Sequence, residues 1–201
     1  MNPITDFAQL DPTKTYSYAD YLSWKFDEFV ELVKGKVFRP MAGARTRHQV
    51  FHRRLTRAIG NFLGEDEDGC QLFYAPYDVR LTRSTGNGDA QIQSVVQPDI
   101  LVVCDPTKID ERGCLGAPDW IIEIISPGNF AHDTRTKFGL YEENGVREYW
   151  LVNPGLNTVV AWTLDAAGAY QLAAEYTEPG PMPVATLPGL ALEWAALFAG
   201  Q

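Results

Sequence analysis

The chain has 201 residues, of which 45% are hydrophobic and 21% charged, and its formal net charge is −9 at pH 7. This ordinary globular balance suits one domain with a sizeable core. No apolar stretch is long enough to span a bilayer, and the N-terminus lacks the basic region and apolar run of a signal peptide. Three cysteines without a CxxC pair favour reduced thiols in a cytoplasmic protein over a zinc site or a disulfide framework.

Basic residues are concentrated in one part of this acidic chain. The segment 32–64 contains no Asp or Glu, although it holds eight of the seventeen lysines and arginines. Because phosphate binding is largely electrostatic, the net charge of −9 argues against broad affinity for nucleic acid. A locally basic segment can still face phosphates, and the alternative is a solvated helix face. The nucleic-acid contacts predicted in this segment are His48, Arg45, Arg47, Arg53, Arg54 and Arg57.

The first third of the chain predicts a leader, a hairpin and a long helix. Residues 1–15 are expected to form a loose leader and residues 16–201 a single domain. Ser17 begins a short helix with a capping box, and the residues of 29–38 form a β-hairpin. A helix is predicted over 46–63 because apolar residues recur there at helical spacing.

The remainder of the chain alternates strands with helices. The predicted order is a strand at 71–81 interrupted by Pro76, a loop at 82–94, strands at 95–103 and 119–125 separated by a polar connection at 105–118, a helix at 133–144, strands at 147–152, 158–162 and 170–176, and a helix at 192–198. A helix between strands is typical of an α/β protein. We therefore expect one α/β domain with a central mixed sheet flanked by helices.

Two acidic residues lie inside hydrophobic runs that are typical of buried strands. Asp99 follows Pro98 in the first run, and Glu123 lies in the middle of the second. A carboxylate in such a run is costly unless it is paired or binds a cation. One such residue could belong to a buried ion pair. Two on successive strands, followed by Lys137, favour a divalent-metal site, and carboxylates are the ligands that Mg²⁺ prefers.

The order of these residues resembles that of the restriction-endonuclease-like nucleases. In that superfamily an Asp at a strand end, often after Pro, is followed by a Glu or Asp and a Lys two residues apart. Gln97-Pro98-Asp99 and Glu123 match this order, but Ile125 stands where the lysine is expected. The sequence is more similar to the Uma-two family of endonuclease-like proteins, in which the lysine lies on the next helix, as Lys137 does here. The similarity extends from about residue 16 to residue 197.

The resemblance implies a metal-dependent nuclease with a restriction-endonuclease-like core, which hydrolyses phosphodiester bonds in DNA. Asp99 and Glu123 would bind Mg²⁺ or Mn²⁺, Lys137 would activate water, and Glu31 would assist. Around them, Gln97, Ser126 and Tyr141 are expected to support the site. The alternatives are a surface ion pair between Asp133 and Lys137, an exposed strand carboxylate at Glu31, a solvated His48, a turn role for Ser126 and a core position for Tyr141.

Two rival functions stay open from the sequence alone. A catalytically inactive nuclease-fold module for binding or interaction would keep the fold but would need no Mg²⁺. A hydrolase of small phosphodiesters would keep the metal site but would not need the basic helix. A homodimer would suit the cutting of two strands, and the strands at 158–162 and 170–176 could supply its interface or lie inside the fold.

Overall fold

The computed structural model describes residues 4–39, 46–64, 69–82, 88–126 and 132–200. The α-helices are α1 Tyr18–Tyr21, α2 Thr46–Leu63, α3 Phe138–Asn144 and α4 Trp194–Phe198, and a π-helical segment, His132–Lys137, leads directly into α3. The strands are β1 Glu31–Val33, β2 Lys36–Phe38, β3 Gln71–Tyr74, β4 Val79–Arg80, β5 Val95–Val96, β6 Ile100–Val103, β7 Ile109–Asp110, β8 Gly113–Leu115, β9 Trp120–Ile124, β10 Glu148–Asn153, β11 Thr158–Leu164, β12 Tyr170–Tyr176, β13 Pro181–Pro183 and β14 Ala191–Glu193. None of the helices in these ranges is long and apolar enough to cross a membrane.

The strands form two six-stranded mixed sheets, and β13 pairs separately with β14. The first sheet has the order β2-β1-β5-β4-β8-β7, and the second has the order β12-β11-β10-β9-β6-β3. The predicted mixed α/β class with flanking helices is confirmed. The first sheet was not predicted as a separate layer because each of its strands is only two or three residues long, too short for a clear alternation of polar and apolar residues.

The long helix α2 packs against one face of the second sheet. It buries Phe51, Leu55 and Ile59, which recur every four residues and therefore share one side of the helix. The facing strand residues belong to β6, β9 and β10, and they form the largest core of the protein. The predicted helix over 46–63 and the predicted hairpin of β1 and β2 are both confirmed. The apolar stripe fixes the direction in which the polar residues of α2 point.

Two stretches predicted as single strands are each divided between the two sheets. The stretch 71–81 forms β3 in the second sheet and β4 in the first, with Pro76 between them. The run 95–103 forms β5 in the first sheet and β6 in the second. The tripeptide Gln97-Pro98-Asp99 separates β5 from β6, and Pro98 has no N–H to donate to a strand partner. Asp99 therefore lies where the chain passes from one sheet to the other.

Three further boundaries differ from the predictions. The polar connection 105–118 contains the short hairpin of β7 and β8. The helix predicted over 133–144 begins in a π-helical turn, and the C-terminal helix begins at Trp194 because the preceding residues pair as β14. Residues 83–87 of the predicted loop lie outside the described ranges.

The expectation of three reduced cysteines is wrong for two of them. Cys70 and Cys104 form a disulfide. They flank β3 and β6, whose antiparallel register pairs Gln71 with Val103, so the two cysteines face each other across the strand pair. A linear sequence does not reveal that register. Cys114 is free and buried, and burial raises the pKa of its thiol.

The N-terminal residues that the structure describes contact the first sheet. Ile4 and Leu10 pack against a small hydrophobic core that includes Trp24 and Leu32 and lies on the outer side of the first sheet. The ammonium of Lys36, on β2, donates to main-chain carbonyls of residues 12–14 at 3.0 to 3.2 Å. The division into a leader at 1–15 and a domain at 16–201 stays a prediction.

Candidate active site

The register of β6 and β9 brings Asp99 and Glu123 together. The strands run antiparallel with Ile100 opposite Ile122, so the next pair outward is Asp99 and Glu123. Side chains alternate along a strand, and Glu123 therefore leaves the sheet on the face away from α2. The N–H of Asp99 donates to Glu123 Oε2 at 3.4 Å, and the N–H of Ile124 donates to Asp99 Oδ2 at 2.7 Å.

Glu31 reaches the same place from the other sheet. It begins β1 and lies two residues before Val33, so both side chains point toward the core between the sheets. Glu31 is only 4% exposed, and its Oε1 accepts a hydrogen bond from the N–H of Gln97 at 2.9 Å. The structure thus buries Glu31, and the alternative of an exposed strand carboxylate is wrong.

Lys137 joins the two glutamates. Its Nζ lies 2.9 Å from Glu31 Oε1 and 3.0 Å from Glu123 Oε1, and the side chain is buried. Tyr141, four residues later, donates its hydroxyl to Glu123 Oε1 at 2.7 Å. The two residues share one helix face, as their spacing predicts. A surface ion pair does not describe this buried lysine, and the side chain of Asp133 lies outside the described part of the chain.

The cluster has more negative than positive charge. Burial raises the pKa of Glu123; the ammonium of Lys137 opposes this effect, and the charges of Asp99 and Glu31 add to it. Burial also raises the pKa of the Tyr141 hydroxyl, which keeps its proton to donate to Glu123. Two carboxylates therefore contact one lysine, with the carboxylate of Asp99 nearby, in a site that is largely shielded from water.

A divalent cation fits the chemistry of this donor set. Asp99 and Glu123 offer hard oxygen ligands on adjacent strands, and a 2+ charge would balance the excess of carboxylates. Among the residues that the structure describes, no three His, Cys, Asp or Glu side chains converge on one metal position. Mg²⁺ is commonly held by one or two carboxylates, with waters or substrate oxygens completing its shell. The two carboxylates fit that kind of site.

His48 lies at the start of α2 and contacts the carboxylate of Asp99. Its Nε2 is 3.0 Å from Asp99 Oδ2. Burial alone would lower the pKa of His48, but the hydrogen bond and the charge of Asp99 outweigh it and raise the pKa above its ordinary value. The alternative of a solvated helix-start histidine is therefore wrong, because the ring is half-buried against an acidic residue.

The other predicted supporting residues have different surroundings. The side chain of Gln97 turns toward Asp78, whose Oδ1 accepts its hydrogen bond at 2.8 Å, while its main-chain N–H contacts Glu31. Ser126 is half-buried two residues beyond β9, and its hydroxyl makes no hydrogen bond to a described residue. Of these two residues, only Gln97 contacts the cluster, and it does so through its main-chain N–H.

Sequence reasoning missed two polar residues near the site. Asp78 is held by Gln97 and by the hydroxyl of Tyr21 at 3.3 Å, and burial raises its pKa. His52 places its Nε2 3.2 Å from the main-chain oxygen of Asp99. The only signal for His52 was its position one helical turn after His48. Asp78 had no sequence signal, because it lies in the stretch 71–81 that was predicted as a strand interrupted by Pro76.

The predicted basic surface divides into residues of two kinds. Arg47, Arg53 and Arg57 are exposed on α2. Arg54 instead donates to the main-chain oxygens of Leu197 and Ala199, both at 2.7 Å, and so holds α4 against α2. Arg45 lies outside the described residues. Helical spacing alone did not distinguish the arginine that binds α4 from those that face solvent.

The buried carboxylate of Glu148 shows what a structural acid looks like in this protein. Glu148, on β10, is 2% exposed and accepts hydrogen bonds from Trp150 Nε1 at 2.8 Å and from the N–H groups of Ala185 and Thr186 at 3.1 and 2.6 Å. These neutral donors belong to the protein itself and leave no need for a bound cation. The cluster of Glu31, Asp99 and Glu123 differs because its carboxylates lie close to one another.

Comparison with known proteins agrees with the fold. The family model Uma2, described as "Putative restriction endonuclease", matches residues 18–195. The uncharacterized protein slr1290 of Synechocystis sp. is 29% identical over 160 residues, which cover 76% of this chain and 73% of that protein. A crystal structure from Anabaena variabilis, described as a putative nuclease belonging to DUF820, matches this chain with a TM-score of 0.69 at 21% sequence identity. The match covers 90% of this chain and 97% of the other, which shows a shared fold. Because the family model matches most of its length, the chain belongs to the Uma2 family of putative restriction endonucleases.

Proposed function

We propose that the protein is an endonuclease that hydrolyses phosphodiester bonds in DNA and depends on Mg²⁺ or Mn²⁺. The observation that carries this proposal is the buried cluster in which Lys137 contacts both Glu31 and Glu123, with Asp99 beside them. The structural acid Glu148 is satisfied by neutral donors, whereas this cluster concentrates negative charge. Membership of a family described as restriction endonucleases supports the same substrate class.

Asp99 and Glu123 would hold the cation, which when bound would neutralise phosphate charge and make a water molecule more acidic. Tyr141 would keep Glu123 in place through its 2.7 Å hydrogen bond. Lys137 and Glu31, which are in direct contact at 2.9 Å, would together hold the attacking water beside the pair, with Glu31 as the acceptor of its proton. The lysine would also stabilise negative charge that develops on the phosphate oxygens.

The exposed arginines of α2 would bind the phosphate backbone. Arg53 and Arg57, four residues apart, share one exposed side of α2, the helix whose first turn places His48 against Asp99. Arg47 lies one residue before His48 and would extend this surface. Arg54 is left out of the surface because its guanidinium donates to main-chain oxygens beside α4.

A homodimer would present two such sites to the two strands of a duplex. β12 lies at the edge of the second sheet and exposes Leu172, whereas β11 lies inside that sheet between β10 and β12. The edge formed by β12 is therefore the surface that we propose for pairing. We propose a cytoplasmic location for this activity.

A plasmid-nicking assay combined with calorimetry tests the proposal. The wild type should bind Mg²⁺ or Mn²⁺ and nick supercoiled DNA, while Asp99→Ala and Glu123→Gln should lose both properties. Glu178→Gln is the matched control, because it neutralises an exposed carboxylate remote in sequence from the cluster. Equal nicking by wild type and Asp99→Ala would show the proposal to be wrong.

The same samples separate the rival functions. A catalytically inactive binding module would neither need nor bind the cation at Asp99 and Glu123. A hydrolase of small phosphodiesters would cleave bis(p-nitrophenyl) phosphate with metal, yet it would be insensitive to Arg53→Ala and Arg57→Ala. A DNA endonuclease should instead lose DNA affinity when those arginines are removed.

A further inference from the structure

Two histidines one turn apart on α2 contact opposite ends of Asp99. His48 places its Nε2 3.0 Å from the carboxylate oxygen Oδ2, and His52 places its Nε2 3.2 Å from the main-chain oxygen. Residues four apart lie on the same side of an α-helix, which allows both rings to reach one partner. The helix thus contacts both the side chain and the backbone of the same aspartate.

Asp99 makes three further hydrogen bonds with residues that the structure describes, besides those to the two histidines. Its main-chain oxygen accepts a second hydrogen bond, from the N–H of Ala75 at 3.1 Å, and Oδ2 accepts a second one, from Ile124 at 2.7 Å. Its N–H donates to Glu123 at 3.4 Å. Within the described ranges, no hydrogen bond involves Oδ1. The aspartate is therefore fixed in an orientation that leaves one carboxylate oxygen for a ligand.

The direction of the two histidine contacts follows from their acceptors. A carboxylate and a carbonyl oxygen only accept, so Nε2 of each ring must carry the hydrogen. Nδ1 of His48 is buried and has no hydrogen-bond partner among the described residues. The ring of His52 packs edge-on against Tyr74, the residue before Ala75. The ring of His52 is therefore held between Tyr74 and the main chain of Asp99.

We infer that His48 and His52 act together as positioning residues that hold Asp99 in its metal-binding orientation. The inference rests on the proposed function, because it assigns Asp99 Oδ1 to the cation. It gives His48 a role on the protein's own carboxylate in place of a contact with nucleic acid. It also adds His52, whose ring contacts the backbone at the junction between the two sheets.

Substitutions that keep or remove the N–H of each ring test the inference. In His48→Gln and His52→Gln the side-chain amide retains an N–H donor, whereas His48→Leu and His52→Leu remove it. The leucine variants should bind Mn²⁺ about 10- to 100-fold more weakly by calorimetry, the range typical for partners that orient a metal ligand. In nicking assays they should lower kcat with little change in KM, and the glutamine variants should recover most of both losses. Gln49→Ala, an exposed change on the same helix, should match the wild type.

A measurement on the unmodified protein covers the case in which a leucine variant does not fold. Long-range ¹H–¹⁵N spectra of the metal-free wild type should show an Nε2-bound hydrogen on both His48 and His52. A hydrogen on Nδ1 alone in either ring would overturn the inference.

The outcomes also separate this inference from the proposed function. Folded leucine variants that bind Mn²⁺ like the wild type would overturn the inference while leaving the nuclease intact. A raised KM with unchanged kcat would show that the histidines contact DNA, and would also overturn it. A wild type that neither binds Mn²⁺ nor nicks DNA would overturn the proposed function and the inference together.

Discussion

Replacing Lys137 by methionine tests whether this lysine balances the charge of the cluster. The substitution keeps most of the volume of the side chain but removes the only ammonium that contacts Glu31 and Glu123 among the described residues, at 2.9 and 3.0 Å. Removing one partner of a buried ion pair destabilises a protein by about 3–5 kcal/mol, because a charge is left buried without compensation. Glu31 would keep the N–H of Gln97 and Glu123 would keep the hydroxyl of Tyr141, so we expect the lower end, about 3 kcal/mol.

Urea titration in EDTA measures this loss without interference from metal ions. For a chain of this size, 1 kcal/mol corresponds to roughly 2–4 °C in Tm, so the melting temperature should fall by about 6–12 °C. Lys34→Met is the matched control, because Lys34 pairs with Glu143 at 2.6 Å through side chains that are 61% and 53% exposed. Such a surface pair contributes less than about 1 kcal/mol.

The double variant Lys137→Met, Glu31→Gln identifies the cause of the destabilisation. If uncompensated charge is responsible, neutralising Glu31 should restore part of the stability, with a coupling of about 1 kcal/mol or more. A loss in Lys137→Met no larger than in Lys34→Met would refute the reasoning. An additive double variant would likewise show that Lys137 acts through packing and not through its charge.

Three further changes probe the rest of the site. Glu123→Gln should abolish nicking yet raise the free energy of unfolding in EDTA at pH 7. Burial raises the pKa of Glu123, so the ionised carboxylate opposes folding at a pH above that pKa. An unchanged urea midpoint would contradict this expectation. The double variant Arg53→Ala, Arg57→Ala should reduce the slope of log DNA affinity against log salt concentration by about 1.8, as measured by fluorescence anisotropy. Arg54→Ala should leave this slope unchanged and lower Tm, because Arg54 binds main-chain oxygens beside α4. Glu148→Gln should destabilise the protein by about 1–3 kcal/mol in thermal melts because an amide N–H would face donors, while nicking per folded molecule should stay at the wild-type level.

The sequence predicts the placement of the central carboxylates because strand geometry is regular. Once β6 and β9 pair antiparallel, the register places Asp99 beside Glu123, and a period of two turns the side chain of Glu123 to the face away from α2. The spacing of four likewise places Lys137 and Tyr141 on one side of their helix, and both contact Glu123. These relations depend on local periodicity and on a single strand pairing.

The parts that the sequence did not predict depend on contacts between distant segments. Glu31 is buried only because the first sheet packs against the second, and strands of two or three residues carry little periodicity. Arg54 donates to main-chain oxygens that lie 143 and 145 residues further along the chain. Cys70 forms its disulfide with Cys104 because strand register brings the two residues together. No local pattern distinguishes such residues from solvent-exposed arginines or reduced cysteines.

The position of Asp99 connects the assembly of the site with the folding of the whole chain. Glu31 belongs to the first sheet and Glu123 to the second, and Asp99 lies where the chain crosses between them. The three carboxylates therefore come together only when the sheets are packed, and the apolar core between the sheets must hold them against their mutual repulsion. Lys137 offsets part of that repulsion in the metal-free protein, and a divalent cation would offset the remainder. Repulsion among these carboxylates makes the metal-free protein less stable than the metal-bound protein. Removing the charge of Glu123 should therefore stabilise the fold and abolish the nuclease activity.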